Sequence, residues 1–166
     1  MQAVSRVVSS LLFKGGYMDS NDTKLRFRIQ QDETGYALVT VESLHLSKIT
    51  EKKYCMESIP FFFRDATLGD IVFVEEEENG LYYALVVGGE QNSLVRVFVP
   101  ASEQIESLTA LLIAQGLLFE VLKDFGIVAI NISPEQSYRD ILARLEESLD
   151  METAGIEEVL CRQILG

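Results

Sequence analysis

One histidine, His45, and two cysteines, Cys55 and Cys161, are the side chains of this sequence best suited to act as base, nucleophile or metal ligand. A cysteine becomes a useful nucleophile when a neighbouring base makes it a thiolate, so His45 and Cys55 are the pair to weigh. Both sit in stretches of alternating polarity, where a packed thiol and an edge imidazole are ordinary strand residues, and no third residue completes a triad. A zinc site needs three or four His, Cys or carboxylate ligands, and the cysteines offer no C-x-x-C spacing. Gly88-Gly89 reads as hairpin punctuation, because no phosphate-binding loop pattern surrounds it, and no G-x-S-x-G elbow occurs. The expectation is no catalytic residue, no metal and no cofactor, with neither His45 nor Cys55 doing chemistry.

Carboxylates are the abundant chemical group. Twenty-six Asp and Glu face fourteen Lys and Arg, for a net charge of −12. They cluster in runs, Glu75-Glu76-Glu77-Glu78 and Glu146-Glu147 with Asp150, and runs form solvated faces more readily than tuned acid–base pairs. Residues 1–60 carry a balance of +1 and residues 61–166 one of −13. Such a field repels nucleic acid and anionic membrane and speeds the capture of basic proteins. These seven acids are therefore the candidate partner-binding residues. The aromatics are not interleaved with basic residues, which argues against an RNA-reading sheet. No apolar run approaches the roughly 20 residues of a membrane helix. Val7–Phe13 lacks the features of a signal peptide, and two sparse cysteines suit a reducing compartment. The expected location is the cytoplasm.

The elements that must position these groups follow from the periodicity. Residues 1–23 have no sustained period and read as an N-terminal extension, with residues 1–17 expected to be dispensable for folding. Lys24–Gln30 alternates polar and apolar residues, as a half-buried strand does. Asp32–Gly35 is a turn, and Tyr36–Leu46 returns to make a hairpin. Lys53–Ile59 is a third strand, ended by Pro60, after which Phe61-Phe62-Phe63 forms an aromatic knot. Gly69-Asp70 turns into Ile71–Val74, and Asn79-Gly80 is a strong hairpin signal before Leu81–Val87. Ser93–Val99 is the next strand. Arg96, between Val95 and Val97, points opposite to them and is expected to pair with a surface carboxylate.

The second half changes period. Ser102 reads as the N-cap of a helix with Ile105, Leu108 and Leu112 inward, ended by Gly116. Leu117–Leu122 and Ile127–Ile132 are strands. Ser133-Pro134-Glu135-Gln136 supplies an N-cap, a first-turn proline and a capping-box glutamine. The helix that follows carries Tyr138, Ile141, Leu142, Leu145 and Leu149 on one stripe, with Glu146, Glu147 and Asp150 opposite. Ile156–Ile164 is a last strand. The fold class expected is α+β: an N-terminal antiparallel β-sheet or partial barrel over 24–92, packed with a ferredoxin-like β-α-β-β-α-β unit over 93–166. No linker divides the halves, so 24–166 reads as a single domain with a shared core.

Glu42-Ser43-Leu44, Tyr54 to Phe63 (including Ser58-Ile59-Pro60-Phe61-Phe62-Phe63), Gly69-Asp70-Ile71-Val72 and Ser93-Leu94-Val95-Arg96-Val97 together resemble the bacterial domain of unknown function 4265 family. Gly116–Glu120 and Ile130–Pro134 fit its helix-to-strand and strand-to-helix joints, so the resemblance spans roughly Lys24 to Leu160. Two positions depart from the family pattern. His45 stands where a Trp is expected, and Ser58 stands where an Asn is expected; a pocket built on those two residues would be altered here.

Two functions are open on this reading. One is a cytoplasmic interaction protein, most concretely an immunity protein that binds and neutralises a basic toxin domain; this needs charge and no catalysis. The other is a small-molecule-binding or enzymatic domain with a cleft near His45, Cys55 and Arg96.

Overall fold

The computed structural model describes residues 7–8, 22–30 and 39–163. The expected turn at Asp32–Gly35 and the expected strand start at Tyr36 lie outside the described residues.

Strands β2 (Asp22–Arg28), β3 (Val41–Lys48), β4 (Lys53–Met56), β5 (Asp70–Glu76) and β6 (Tyr82–Gly89) follow β1 (Val7–Val8) along the chain. β2 to β6 pair in sequence as antiparallel neighbours, and a parallel bridge from Phe27 to Tyr82 closes them into a barrel. The ring is closed, where the sequence left a sheet or a partial barrel open, and β2 and β6 are joined at that one bridge. Alternation sorts the side chains. Phe27, Leu44, Leu46, Met56, Phe63, Val72 and Val74 fill the interior, while Lys24, Arg26 and Lys48 face water. The β5–β6 turn forms at Asn79 and Gly80, both left-handed at φ 67° and 69°, which is the conformation an Asn-Gly pair tolerates best.

From Ser93 the elements run β7 (Ser93–Phe98), α1 (Ser102–Ala114), β8 (Leu118–Leu122), β9 (Ile127–Ile132), α2 (Tyr138–Ser148) and β10 (Gly155–Leu160). The strands form a second sheet in the order β1-β8-β9-β7-β10, with every neighbour antiparallel. Both helices lie on one face: Ile105, Leu108 and Leu112 of α1 and Tyr138, Ile141 and Leu145 of α2 pack on Val95, Val97, Val128 and Ile130. The other face, with Leu94, Leu122 and Ala129, is covered by Ile59 and Phe61 from the loop between β4 and β5. β7 and β9 are thus buried on both sides, which is why they read as continuous apolar runs. The architecture is α+β, with two mostly antiparallel sheets.

Two local expectations change. Ala101, not Ser102, occupies the N-cap of α1, with no side-chain cap. The Gln136 side chain does accept the Ser133 N–H at 3.0 Å, but this closes a separate turn; α2 starts later, with Ser137 accepting the Asp140 N–H at its N-cap. Within the segment read as an N-terminal extension, Val7 and Val8 pair with Val121 and Glu120 on the edge of β8; residues 1–6 and 9–21 lie outside the described residues. Gly126 is the glycine that the β8–β9 turn requires. It is left-handed at φ +64°, and a Cβ there would meet the Val99 carbonyl oxygen at 2.3 Å.

Candidate functional site

The residues that carried the family resemblance meet at the seam between barrel and sheet. Glu42 lies on the inward parity of β3, with Leu44 and Leu46, and is 1% exposed. A carboxylate there needs donors. The backbone supplies them: Phe61, Phe62 and Phe63 donate consecutive N–H groups to Glu42 at 2.8, 2.9 and 2.8 Å. Pro60, with no N–H of its own, precedes this run. The three rings diverge, Phe63 into the barrel core, Phe61 into the seam, and Phe62 edge-on to Phe125 at 5.6 Å.

Arg96 clasps the same loop from the sheet. Its Nε donates to the Pro60 carbonyl at 3.3 Å, its Nη2 to the Phe63 carbonyl, and its Nη1 lies 3.7 Å from Glu157. It is buried, not at the surface as its sequence context suggested. Burial pulls the guanidinium down to about 10, against the opposing charges of Glu42 and Glu157, so it stays cationic at neutral pH.

A second polar cluster closes the other side of the seam. Asp70, fully buried, accepts both terminal nitrogens of Arg162, with Nη2 at 2.9 Å, and the Thr67 N–H at 2.8 Å. Arg162 also donates to the Asn92 carbonyl, and its backbone N–H to the Ser93 hydroxyl. The side chain of its neighbour Gln163 donates to the Ser133 and Gln136 carbonyls ahead of α2 and accepts the N–H of Tyr138, the first residue of that helix. The C-terminal tail therefore ties barrel, sheet and helix together. Sequence reasoning read Asp70 as a turn residue and gave no role to Glu42 or Arg162. The available signal was parity: a lone carboxylate at an apolar strand position implies buried donors.

The possible cleft of His45, Cys55 and Arg96 draws on two places in the fold. Arg96 is committed to the seam. His45 and Cys55 lie half-buried on outward positions of β3 and β4. Burial, followed by Glu57 and Glu90, pushes the Cys55 thiol up to about 11, the opposite of what a nucleophile requires. The two positions that depart from the family pattern do meet, because the His45 N–H donates to the Ser58 hydroxyl at 2.8 Å.

The acidic candidates are divided as well. Glu75 accepts the Tyr83 hydroxyl at 2.7 Å and lies 3.6 Å from Lys52; these two groups hold it below the usual carboxylate range. Glu77 lies 3.5 Å from Arg28. Glu76 and Glu78 are exposed at the hairpin tip. Glu146 and Glu147 are exposed on α2, on the far side of the sheet from the barrel. Asp150 stands beyond the helix end, where it accepts the Glu152 N–H at 3.1 Å.

A cavity of about 310 Å³ lies between the helices, lined by Glu103, Gln104, Ser107, Ser148 and Asp150 among others. A smaller one, about 120 Å³, opens at the barrel rim beside Arg28, Phe62, Arg64, Tyr82 and Tyr83. Neither is lined by His45, Cys55 or Arg96. Among the described residues, no group of three or more His, Cys, Asp or Glu is placed to hold a metal ion, and no helix is long and apolar enough to cross a membrane.

Comparison with known proteins agrees with the architecture. A solved structure titled "Novel crystal structure of a hypothetical protein from Neisseria gonorrhoeae" is similar in fold, with a TM-score of 0.61 at 15% identity, covering 90% of this chain and 99% of that one. No curated protein matches the chain. The family model described as "Domain of unknown function (DUF4265)" matches residues 42–158, from the buried Glu42 of the barrel to the Glu158 of β10, and the chain belongs to that family.

Proposed function

We propose that this protein is a cytoplasmic interaction module that captures a basic protein partner, acting as an immunity protein against a bacterial toxin domain. The observation that carries this reading is the β5–β6 hairpin, whose tight Asn79-Gly80 turn presents Glu76 and Glu78 to solvent beyond the barrel. Among the described residues those carboxylates make no hydrogen bond or ion pair, while the charges of the family signature are consumed at the seam. Complementary charge raises association rates and disfavours wrong partners. The second half, with strand order β8-β9-β7-β10 and two helices on one face, we read as a ferredoxin-like split βαβ unit that buttresses the barrel. The small-molecule alternative has the interhelical cavity in its favour, whose size is at the low end for ligand pockets.

Capture by the wild-type chain and by a Glu76→Lys/Glu78→Lys variant tests the reading, with the association rate of a purified basic partner measured at low and high salt. The rate should fall about tenfold in the variant at low salt and converge with wild type at high salt. Equal rates at low salt would remove the hairpin from the contact.

A further inference from the structure

The barrel's outer face carries an apolar row that the fold leaves uncovered. β6 alternates, with Tyr82, Ala84 and Val86 packed against the barrel core. Its outward positions hold Tyr83, Leu85 and Val87, which are 46%, 64% and 50% exposed. An antiparallel strand facing water ordinarily places polar side chains there. β5 continues the row sideways, with Phe73 opposite Leu85 and Ile71 opposite Gly88. Lys52 sets its ammonium 5.7 Å from the Phe73 ring centroid, and its stem edges the patch. The result is a contiguous apolar surface across two strands, which marks a contact site more often than chance exposure does.

The rim indicates what covers it. Glu75, Glu76 and Glu78 stand at the hairpin end. Glu57 and Glu90 stand at the other, where both act on Cys55, the residue opposite Ile71. Against these five carboxylates are Lys53 and Lys52, the latter held by Glu75 at 3.6 Å. A second copy of a chain with net charge −12 would bring like-charged rims together; a basic surface would not. β5 is paired on both sides, by β4 and β6, so a partner over its outer face packs on side chains.

We propose that the outer face of β5 and β6 is the docking surface for a basic protein segment, with Leu85, Val87 and Phe73 as its apolar centre and the surrounding carboxylates as its rim. This rests on the interaction-module reading and names the surface through which that module works. The arrangement is that of a protein interface in miniature, with an apolar centre that supplies affinity and a charged rim that steers.

The test uses three short synthetic peptides at low salt: one alternating lysine and leucine, one alternating lysine and serine, and one alternating glutamate and leucine. The first should bind, with amide shift changes centred on Phe73, Leu85 and Val87, and the third should not. Leu85→Asp/Val87→Asp should weaken the first by about tenfold while its melting curve matches wild type; Leu85→Ser/Val87→Ser serves if the aspartates disturb folding. If the lysine–serine peptide binds as tightly as the lysine–leucine one, the apolar centre is overturned and the charge-based reading stands. If no lysine peptide binds, both fall. Unchanged binding by the variants, shift changes mapping elsewhere, or a dimer of the chain alone that Leu85→Asp abolishes would each overturn the docking surface as proposed.

Discussion

The barrel–sheet seam and the tip of the β5–β6 hairpin are both rich in charge, and they use it in opposite ways. At the seam, Glu42, Asp70 and Arg96 are 1%, 0% and 5% exposed, and each is hydrogen-bonded to a distant part of the chain, Glu42 and Asp70 as acceptors and Arg96 as donor. Removing a charge from water is costly, so such groups persist where partners offset the penalty and become expensive once a partner is lost. At the tip, Glu76 and Glu78 remain in water and pay no such penalty. The family match spans both regions, yet the residues that make the family recognisable are concentrated at the seam. Its signature therefore records how a barrel is fastened to a sheet.

The largest break in this contrast is Glu42→Ala. It strands three backbone N–H groups, those of Phe61 and Phe63 buried and that of Phe62 part-buried, and removes an anion that supports Arg96. Breaking a buried charged network costs about 3–5 kcal/mol, which for a chain of this size lowers the melting midpoint by roughly 10 °C. Glu42→Gln keeps one acceptor oxygen but turns an amide NH2 toward backbone donors, so its loss should fall between alanine and wild type. Urea unfolding of the three proteins measures this. A Glu42→Ala cost below about 1 kcal/mol would mean that the loop is held by its aromatic rings alone.

A smaller effect sharpens the same comparison at Cys55, which sits between the two regimes on the outer wall of β4. Its thiol is raised from 9.0 to about 11 by burial, Glu57 and Glu90. Below pH 9 the thiol is protonated whether the chain is folded or not. Between 9 and 11 only the unfolded chain gives up the proton, so this group's contribution to stability declines as pH rises through that window. At pH 8 alkylation of Cys55 in the folded protein should be at least about tenfold slower than in the unfolded chain. A rate equal to that of the unfolded chain would mean that the thiol is neither buried nor shadowed by the two carboxylates.

The elements were legible because periodicity reports burial directly. Lys24 to Arg28 alternates and forms a half-buried strand, the Asn79-Gly80 pair turns as its chemistry demands, and the Tyr138–Leu149 stripe faces the sheet. The seam was not legible. Glu42 meets Phe61 at a sequence separation of 19, and Asp70 meets Arg162 at a separation of 92; no local pattern encodes such pairs. The caps misled because Ser102 and Ser133 are each good capping residues, but α1 is capped one residue earlier, at Ala101, and α2 four residues later, at Ser137. The acidic run was legible as a group but not residue by residue, since Tyr83, Lys52 and Arg28 reach Glu75 and Glu77 from other strands or loops.

That division of the acidic run leads to the smallest expected effect. Reversing Glu76 and Glu78 to lysine should leave folding stability within about 0.5 kcal/mol of wild type, because exposed charges away from structural partners contribute little. Any residual change should be toward greater stability, since the reversal relieves self-repulsion in a chain of net charge −12. Reversing Glu75 and Glu77 instead would turn Lys52 and Arg28 against new lysines and should cost more. Urea midpoints of the two double variants measure the difference directly. If Glu76→Lys/Glu78→Lys lowers stability as much as the Glu75/Glu77 pair does, the tip is part of the fold's own support, and a loss of partner capture in that variant no longer identifies a contact.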